Sequence, residues 1–212
     1  MDKIPGLTLI GLTGPSGAGK SYIADLFAQN GIPSVNTDEV YHSLLIPPSP
    51  CLDALADAFS PAILRPDGSL DRGALSALVF EKTEQGATRL ATLNRISHRF
   101  ILERCHEILC RLAADGARFA ILDAPLLIEA GLCDVCDRVI VVLADRELRL
   151  RRLMARDTLS KEQLLARLDA QPGDEFYRDH ADDVICNNSS PEEVERQVSR
   201  ICRELRREEA AK

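Results

Sequence analysis

Tryptophan is absent from this 212-residue chain, and aromatic residues together make up only 4% of it. Proteins that hold single-stranded nucleic acid by stacking its bases need aromatic platforms, so that class is disfavoured. Positive charge is in deficit too: 26 Lys and Arg face 33 Asp and Glu, a net charge of −7 with a pI near 5.2. A general binder of nucleic acid or membrane surfaces needs the opposite balance, so no nucleic-acid and no membrane partner is expected. No apolar run approaches the roughly 18 residues that a membrane span needs, and the opening MDKIPGLTLIGLTG does not read as a signal peptide. The seven cysteines are odd in number and scattered, which suits reduced thiols in a cytoplasmic protein better than a disulfide framework.

What is present is enough apolar residue, 45%, for one packed core with small appendages and too little chain for two full domains. Short apolar runs alternate with amphipathic stretches. LTLIGLT, IPSVN, RFAILDAP, RVIVVLA and DDVICN read as strands. Helices are expected after Lys20, through Leu55 and Phe59, over Arg72–Phe80 and Ala87–Leu112, after Ser160 and after Ser190. Asp67-Gly68 marks a turn and Asp71 a helix cap; Ser160 with Gln163, and Ser190 with Glu193, have capping-box spacing. This alternation predicts an α/β fold with a central parallel five-stranded sheet and right-handed crossovers. The stretch from about Ser49 to Asp115 is longer than a crossover needs and reads as a helical insert that covers a substrate.

GPSGAGKS, Gly14 to Ser21, matches G-x-x-x-x-G-K-[ST] in full, after a predicted strand and at the start of a predicted helix. Glycines at 14, 17 and 19 let backbone N–H groups close around phosphate oxygens, and the helix N-terminus adds its positive end. Lys20 is expected on the β- and γ-phosphates of a nucleotide and the Ser21 hydroxyl on Mg²⁺. Neither N-K-x-D nor D-x-x-G occurs anywhere, which excludes a GTPase switch. Asp123 is followed by Ala124-Pro125 rather than the water-activating Glu of a motor ATPase. A small kinase remains, which must exclude water and present an acceptor hydroxyl.

Such a kinase needs cations around the transferring group. Arg149, Arg152 and Arg156 fall within roughly 60° of one another on a helix, beside an apolar stripe, and read either as that cluster or as a solvated charged face. Asp38, just past the second predicted strand, reads as an acceptor-orienting carboxylate or as the cap of the helix that follows. Asp123, at the end of a strand, is a candidate magnesium anchor. Cys133 and Cys136 form a C-x-x-C pair whose context suits neither a redox site nor zinc, so ordinary thiols are expected.

Taken together these segments resemble the dephospho-coenzyme A kinase family over nearly the whole chain. Beyond the loop, the resemblance is carried by Asp38, GSLDRGAL around Arg72, SH at His98, DAPLLIEAGL from Asp123, RLMARD around Arg156, RLDAQ ending at Gln171 and ADDVICNN around Asn187. It implies a three-layer P-loop kinase core (1–45, 116–145 and 180–212), a helical coenzyme A domain (46–115) and a lid (146–179). The implied reaction transfers the γ-phosphoryl of ATP, with Mg²⁺, to the ribose 3′-hydroxyl of dephospho-coenzyme A, in a monomer or small homo-oligomer. Lys20, Asp38, Arg152 and Arg156 are implied as catalytic. Gly14, Ser16, Gly17, Ala18, Gly19, Lys20, Ser21, Tyr22 and Asn187 are implied to hold the nucleotide, and Ser21 and Asp123 the metal. Asp38, Arg72, His98, Leu126 and Glu129 are implied at the acceptor. The chain departs from the family's usual pattern at Pro15, at Asn36 (usually Asp), at Arg99 (usually Pro) and at Arg149 (commonly Gln). A kinase of the same fold with another small acceptor, and an ATP-binding regulatory module, stand as the alternatives.

Overall fold

The apolar run LTLIGLT contains the first strand, β1, Thr8–Thr13, buried from Leu9 onward. In the computed structural model, which describes residues 1–211, β1 is the middle strand of a five-stranded parallel sheet ordered β2–β3–β1–β4–β5. The others are β2 (Ser34–Asn36), β3 (Phe119–Asp123), β4 (Arg138–Leu143) and β5 (Asp183–Cys186). Ile10 lies beside Ile121 of β3, and Leu12 beside Ile140 of β4. Strands enclosed on both faces read as continuous apolar runs rather than alternating ones, as β1 and β4 do.

The chain divides into two compact units, one of residues 36–110 with Met1, the other of residues 2–35 with the chain from Arg111 onward. In the second unit, α1 (Lys20–Gln29) and α9 (Pro191–Ala210) pack on each other and on the sheet. Ile23 and Phe27 meet Val194, Val198 and Ile201 there; the α9 residues recur at the three-to-four spacing of a buried helical stripe. The helices α6 (Arg146–Arg156) and α7 (Lys161–Asp169) share a smaller apolar cluster of Leu153, Leu164 and Leu168. A short α8 (Asp174–Asp179) buries Tyr177.

The first unit is helical: α2 (Thr37–Leu44), α3 (Pro50–Phe59), α4 (Arg72–Val79) and most of α5 (Glu84–Ala114). Its own core gathers Cys51, Leu52, Leu55, Ile63, Leu75 and Val79. Ser49 caps α3 ahead of Pro50, and Asp71 caps α4 through the Ala74 N–H at 3.0 Å.

The Ser160–Gln163 capping box forms, each side chain bonding the other's backbone N–H. The one at Ser190 does not. Its helix starts at Pro191 as expected, but the Ser190 side chain makes no cap bond. α8 was not anticipated from the sequence; six residues with a single buried side chain leave no periodic stripe to read.

Candidate functional site

The glycine loop links β1 to α1 as its motif requires. Gly17 adopts φ +80° and a Cβ there would lie 2.8 Å from the Arg149 carbonyl oxygen; Gly19 adopts φ +95° and a Cβ would lie 2.2 Å from Asn187 Nδ2. Both the backbone angle and the close approach therefore demand glycine. Gly19 is the N-cap of α1, gives no side-chain cap, and the first turn holds no acidic residue. The first turn of α1 thus offers no acidic side chain of its own to the helix's positive end, as an anion site requires. Ser21 and Tyr22, in that first turn, are exposed.

Lys20 turns from the start of α1 to Asp123 at the end of β3, and its ammonium is hydrogen-bonded to Asp123 Oδ1. Both side chains are largely buried, 14% and 2% exposed. The Asp123 carboxylate and the motif hydroxyl of Ser21 are hard oxygen donors that suit Mg²⁺, and the Lys20 ammonium suits a triphosphate. Among the described residues no group of three or more His, Cys, Asp or Glu side chains could hold a metal alone. A magnesium ion in this place would draw further oxygen ligands from phosphate and water.

The arginines of α6 meet the loop from outside. Arg149, only 6% exposed, donates from Nε to the Ser16 carbonyl (2.9 Å) and from Nη2 to Gln171 Oε1 (3.0 Å). Gln171 in turn accepts the Ser16 N–H (3.0 Å) and donates to Ser16 Oγ (3.3 Å). Arg152 donates to the carbonyls of Gly17 (3.4 Å), Ala18 (3.2 Å) and Asn187 (3.0 Å) and to Asn187 Oδ1 (3.3 Å). Buried Asn187 donates to the Ala18 carbonyl at 2.8 Å. Burial lowers the pKa of both guanidinium groups. Arg156 is exposed and forks onto Asp157 at 2.7 and 3.3 Å; that bond raises the arginine and lowers the carboxyl. The spacing of Arg149 and Arg152, one turn apart on the first helix after the strand beside β1, is the sequence signal for a shared target. Spacing did not name that target as the loop backbone.

In the helical unit, Asn36 is the N-cap of α2. Its Oδ1 accepts the N–H groups of Asp38 (2.9 Å) and Glu39 (3.1 Å). The structure therefore assigns the cap to Asn36, and Asp38, in the first turn, keeps an exposed carboxylate. Arg72 Nη2 lies 3.2 Å from His42 Nδ1. His98 is exposed on α5, and its neighbour Arg99 turns to Glu103 at 2.9 Å and lies over the Phe100 ring.

In the other unit, Leu126 and Glu129 are exposed on the segment after β3. Cys133 and Cys136 are free thiols. Cys136 Sγ donates to the Leu132 carbonyl, and burial, with lesser help from Cys133 and Asp137, pushes its pKa up to about 12.

Comparison with known proteins adds an independent line. The family model described as dephospho-CoA kinase matches residues 8–193. A dephospho-CoA kinase of Corynebacterium glutamicum is 38% identical over 196 residues, covering 92% of this chain and 96% of its own. The crystal structure of TT1252 from Thermus thermophilus aligns with a TM-score of 0.77 at 34% identity, covering 93% of this chain and 97% of that one. A dephospho-CoA kinase from Campylobacter jejuni aligns with a TM-score of 0.61 at 26% identity, covering 94% and 98%.

Proposed function

The chain belongs to the dephospho-CoA kinase family, and from that premise we propose that it transfers the γ-phosphoryl group of ATP to the ribose 3′-hydroxyl of dephospho-CoA, giving CoA and ADP. The observation that supports this reading most directly is the loop from Gly14 to Ser21. It joins glycine-dependent geometry to an uncapped helix start and to a lysine whose ammonium sits on a strand-end aspartate.

In this reading the glycine loop from Gly14 to Lys20, with the open N–H groups of Gly17 and Gly19, and the first turn of α1, with Tyr22, seat the nucleotide phosphates, and Asn187 closes the adenine side. Lys20 neutralises the β- and γ-oxygens. Mg²⁺, held by the Ser21 hydroxyl and by Asp123, supplies further charge neutralisation when bound. Asp38 accepts a hydrogen bond from the 3′-hydroxyl, aims its oxygen, and takes its proton late in the transfer. Phosphoryl transfer through a loose transition state asks little of a base, so positioning and electrostatics carry most of the rate. Arg156 and Arg152 supply positive charge as the transferring group passes, and Arg72, His98, Leu126 and Glu129 hold the acceptor.

In the same reading the labour is divided among a nucleotide core in 1–45, 116–145 and 180–212, a coenzyme A domain in 46–115 and a lid in 146–179. No helix among the described residues is long and apolar enough to cross a membrane. We propose a cytoplasmic enzyme, monomeric or a small homo-oligomer, that works on a dissolved acceptor.

The test is ADP release by purified protein with ATP, Mg²⁺ and dephospho-CoA, set against a panel of nucleoside and sugar acceptors. Selective turnover of dephospho-CoA with CoA as product supports the proposal. Faster turnover of another acceptor replaces the substrate, and acceptor-independent ADP release indicates a regulatory ATP-binding module.

A further inference from the structure

Three consecutive carbonyls of the glycine loop are held from outside: Ser16 by Arg149, Gly17 by Arg152, and Ala18 by Arg152 and Asn187. A trans peptide unit points its C=O and the next N–H in opposite directions. Fixing these three oxygens against α6 and Asn187 therefore turns the N–H groups of Gly17, Ala18 and Gly19 the other way. The Ala18 N–H closes a turn on the Pro15 carbonyl at 3.1 Å. Those of Gly17 and Gly19 have no protein acceptor among the described residues. Half-buried Gly17 and Gly19 thus leave two backbone donors open on the inner side of one loop, the arrangement that seats an anion.

The cations behind the loop fit the same account. Among the described residues, neither Arg149 nor Arg152 has a carboxylate within ion-pair distance; their partners are carbonyl and amide oxygens. Burial lowers the pKa of both arginines, Asp174 offsets part of that at Arg149 from beyond ion-pair distance, and an anion seated on the loop would favour both charges further. Gln171 completes the arrangement. It reaches back from the α7–α8 connection, gives one oxygen to both the Ser16 N–H and Arg149, and donates its amide to Ser16 Oγ.

We propose that Arg149 and Gln171 are positioning residues for phosphate binding: an outer clamp that grips Ser16 and orients the loop's N–H groups without touching substrate. This rests on the reading above that the loop holds the donor's phosphates. Arg149 acts through hydrogen-bond geometry, because only a planar guanidinium can span from Ser16 O to Gln171 Oε1 with two directed donors. Its charge alone does not do this.

The experiment is equilibrium binding of ADP to the full chain by calorimetry, with thermal melts beside it. The variants are Arg149→Ala, Arg149→Lys, Gln171→Ala and the double Arg149→Ala/Gln171→Ala. Losing hydrogen bonds from a charged group is expected to raise the ADP Kd about tenfold or more in both Arg149 variants. In Gln171→Ala the expected rise is about threefold or more, and the double variant is no weaker than Arg149→Ala, since the two act as one unit. The KM for dephospho-CoA stays unchanged.

Wild-type affinity in folded Arg149→Ala, or affinity restored by Arg149→Lys, overturns the clamp. So does a lowered melting temperature with unchanged ADP binding, which is the mark of a merely structural role. If Arg149→Ala does not fold, Gln171→Ala, which leaves the guanidinium in place, decides by the same measures. Wild-type protein that binds no ADP refutes the loop's nucleotide role instead, and that result is distinct from normal wild-type binding with unimpaired variants.

Discussion

Lys20 and Asp123, 103 residues apart in sequence, close on each other as an ion pair at the mouth of the glycine loop, with the carboxylate 2% exposed. The ammonium proposed for the triphosphate and the carboxylate proposed for Mg²⁺ are thus bonded to each other in this structure. A nucleotide entering the loop would compete with Asp123 for the ammonium, and a metal would compete with Lys20 for the carboxylate. Asp123→Asn is expected to tighten ADP binding about threefold or more in chelator, because Lys20 loses a competing anion. With Mg²⁺ present, the same variant is expected to lose about 10²-fold in turnover. Calorimetry in EDTA and a steady-state assay check the two halves. Unchanged affinity in EDTA shows that Lys20 serves the phosphates without leaving Asp123.

Asn36 holds the cap at the start of α2 and Asp38 carries the proposed chemistry, so the two are separable. Asn36→Ala removes the acceptor for the N–H groups of Asp38 and Glu39 and is expected to destabilise the fold by about 1 kcal/mol. Asp38→Asn leaves the cap intact and is expected to depress kcat by about 10²-fold or more with little change in the KM for ATP. Thermal melts and steady-state kinetics on the pair decide. A destabilised Asp38→Asn with normal kcat sinks the catalytic role.

Gly17→Ala places a methyl group against the backbone of α6, with 2.8 Å to the Arg149 carbonyl, at φ +80°. Backbone cannot yield as a side-chain tip does, so the loop must move. The expected result is an ADP Kd raised about tenfold or more. Native affinity in this variant shows that the loop tolerates displacement.

Alkaline pH reads the buried thiols. The folded protein holds the proton of Cys136 up to about pH 12, and that of Cys105 to about 11, against an ordinary value of 9.0. Above pH 9 the unfolded chain therefore binds fewer protons than the folded one. The stability from these thiols is complete below about 9 and is lost as pH rises through the folded values. Chemical denaturation from pH 8 upward is expected to show falling stability, and Cys136→Ala to flatten that slope whatever it does to the absolute value. An unaltered slope means that the thiol titrates normally.

Much of this was legible in the sequence because the signals were local. The strand-loop-helix at Gly14, the box at Ser160 and Gln163, and the cap at Asp71 are each set by a few adjacent residues, and all three formed. What failed or stayed open depended on competition or distance. Asp38 and Asn36 both have capping chemistry, and only geometry gives the cap to Asn36. Ser190 has a capping sequence but makes no side-chain cap. Arg149 and Arg152 read equally as a charged face, because no periodicity tells a solvated guanidinium from one spent on carbonyls some 130 residues away.

The glycine loop lies near the beginning of the chain, while everything that grips its outer side lies after residue 148. On a ribosome the loop is made early and its braces Arg149, Arg152, Gln171 and Asn187 arrive late. The outer side of the loop therefore stays unbraced until Asn187, at the end of the last strand, has been made.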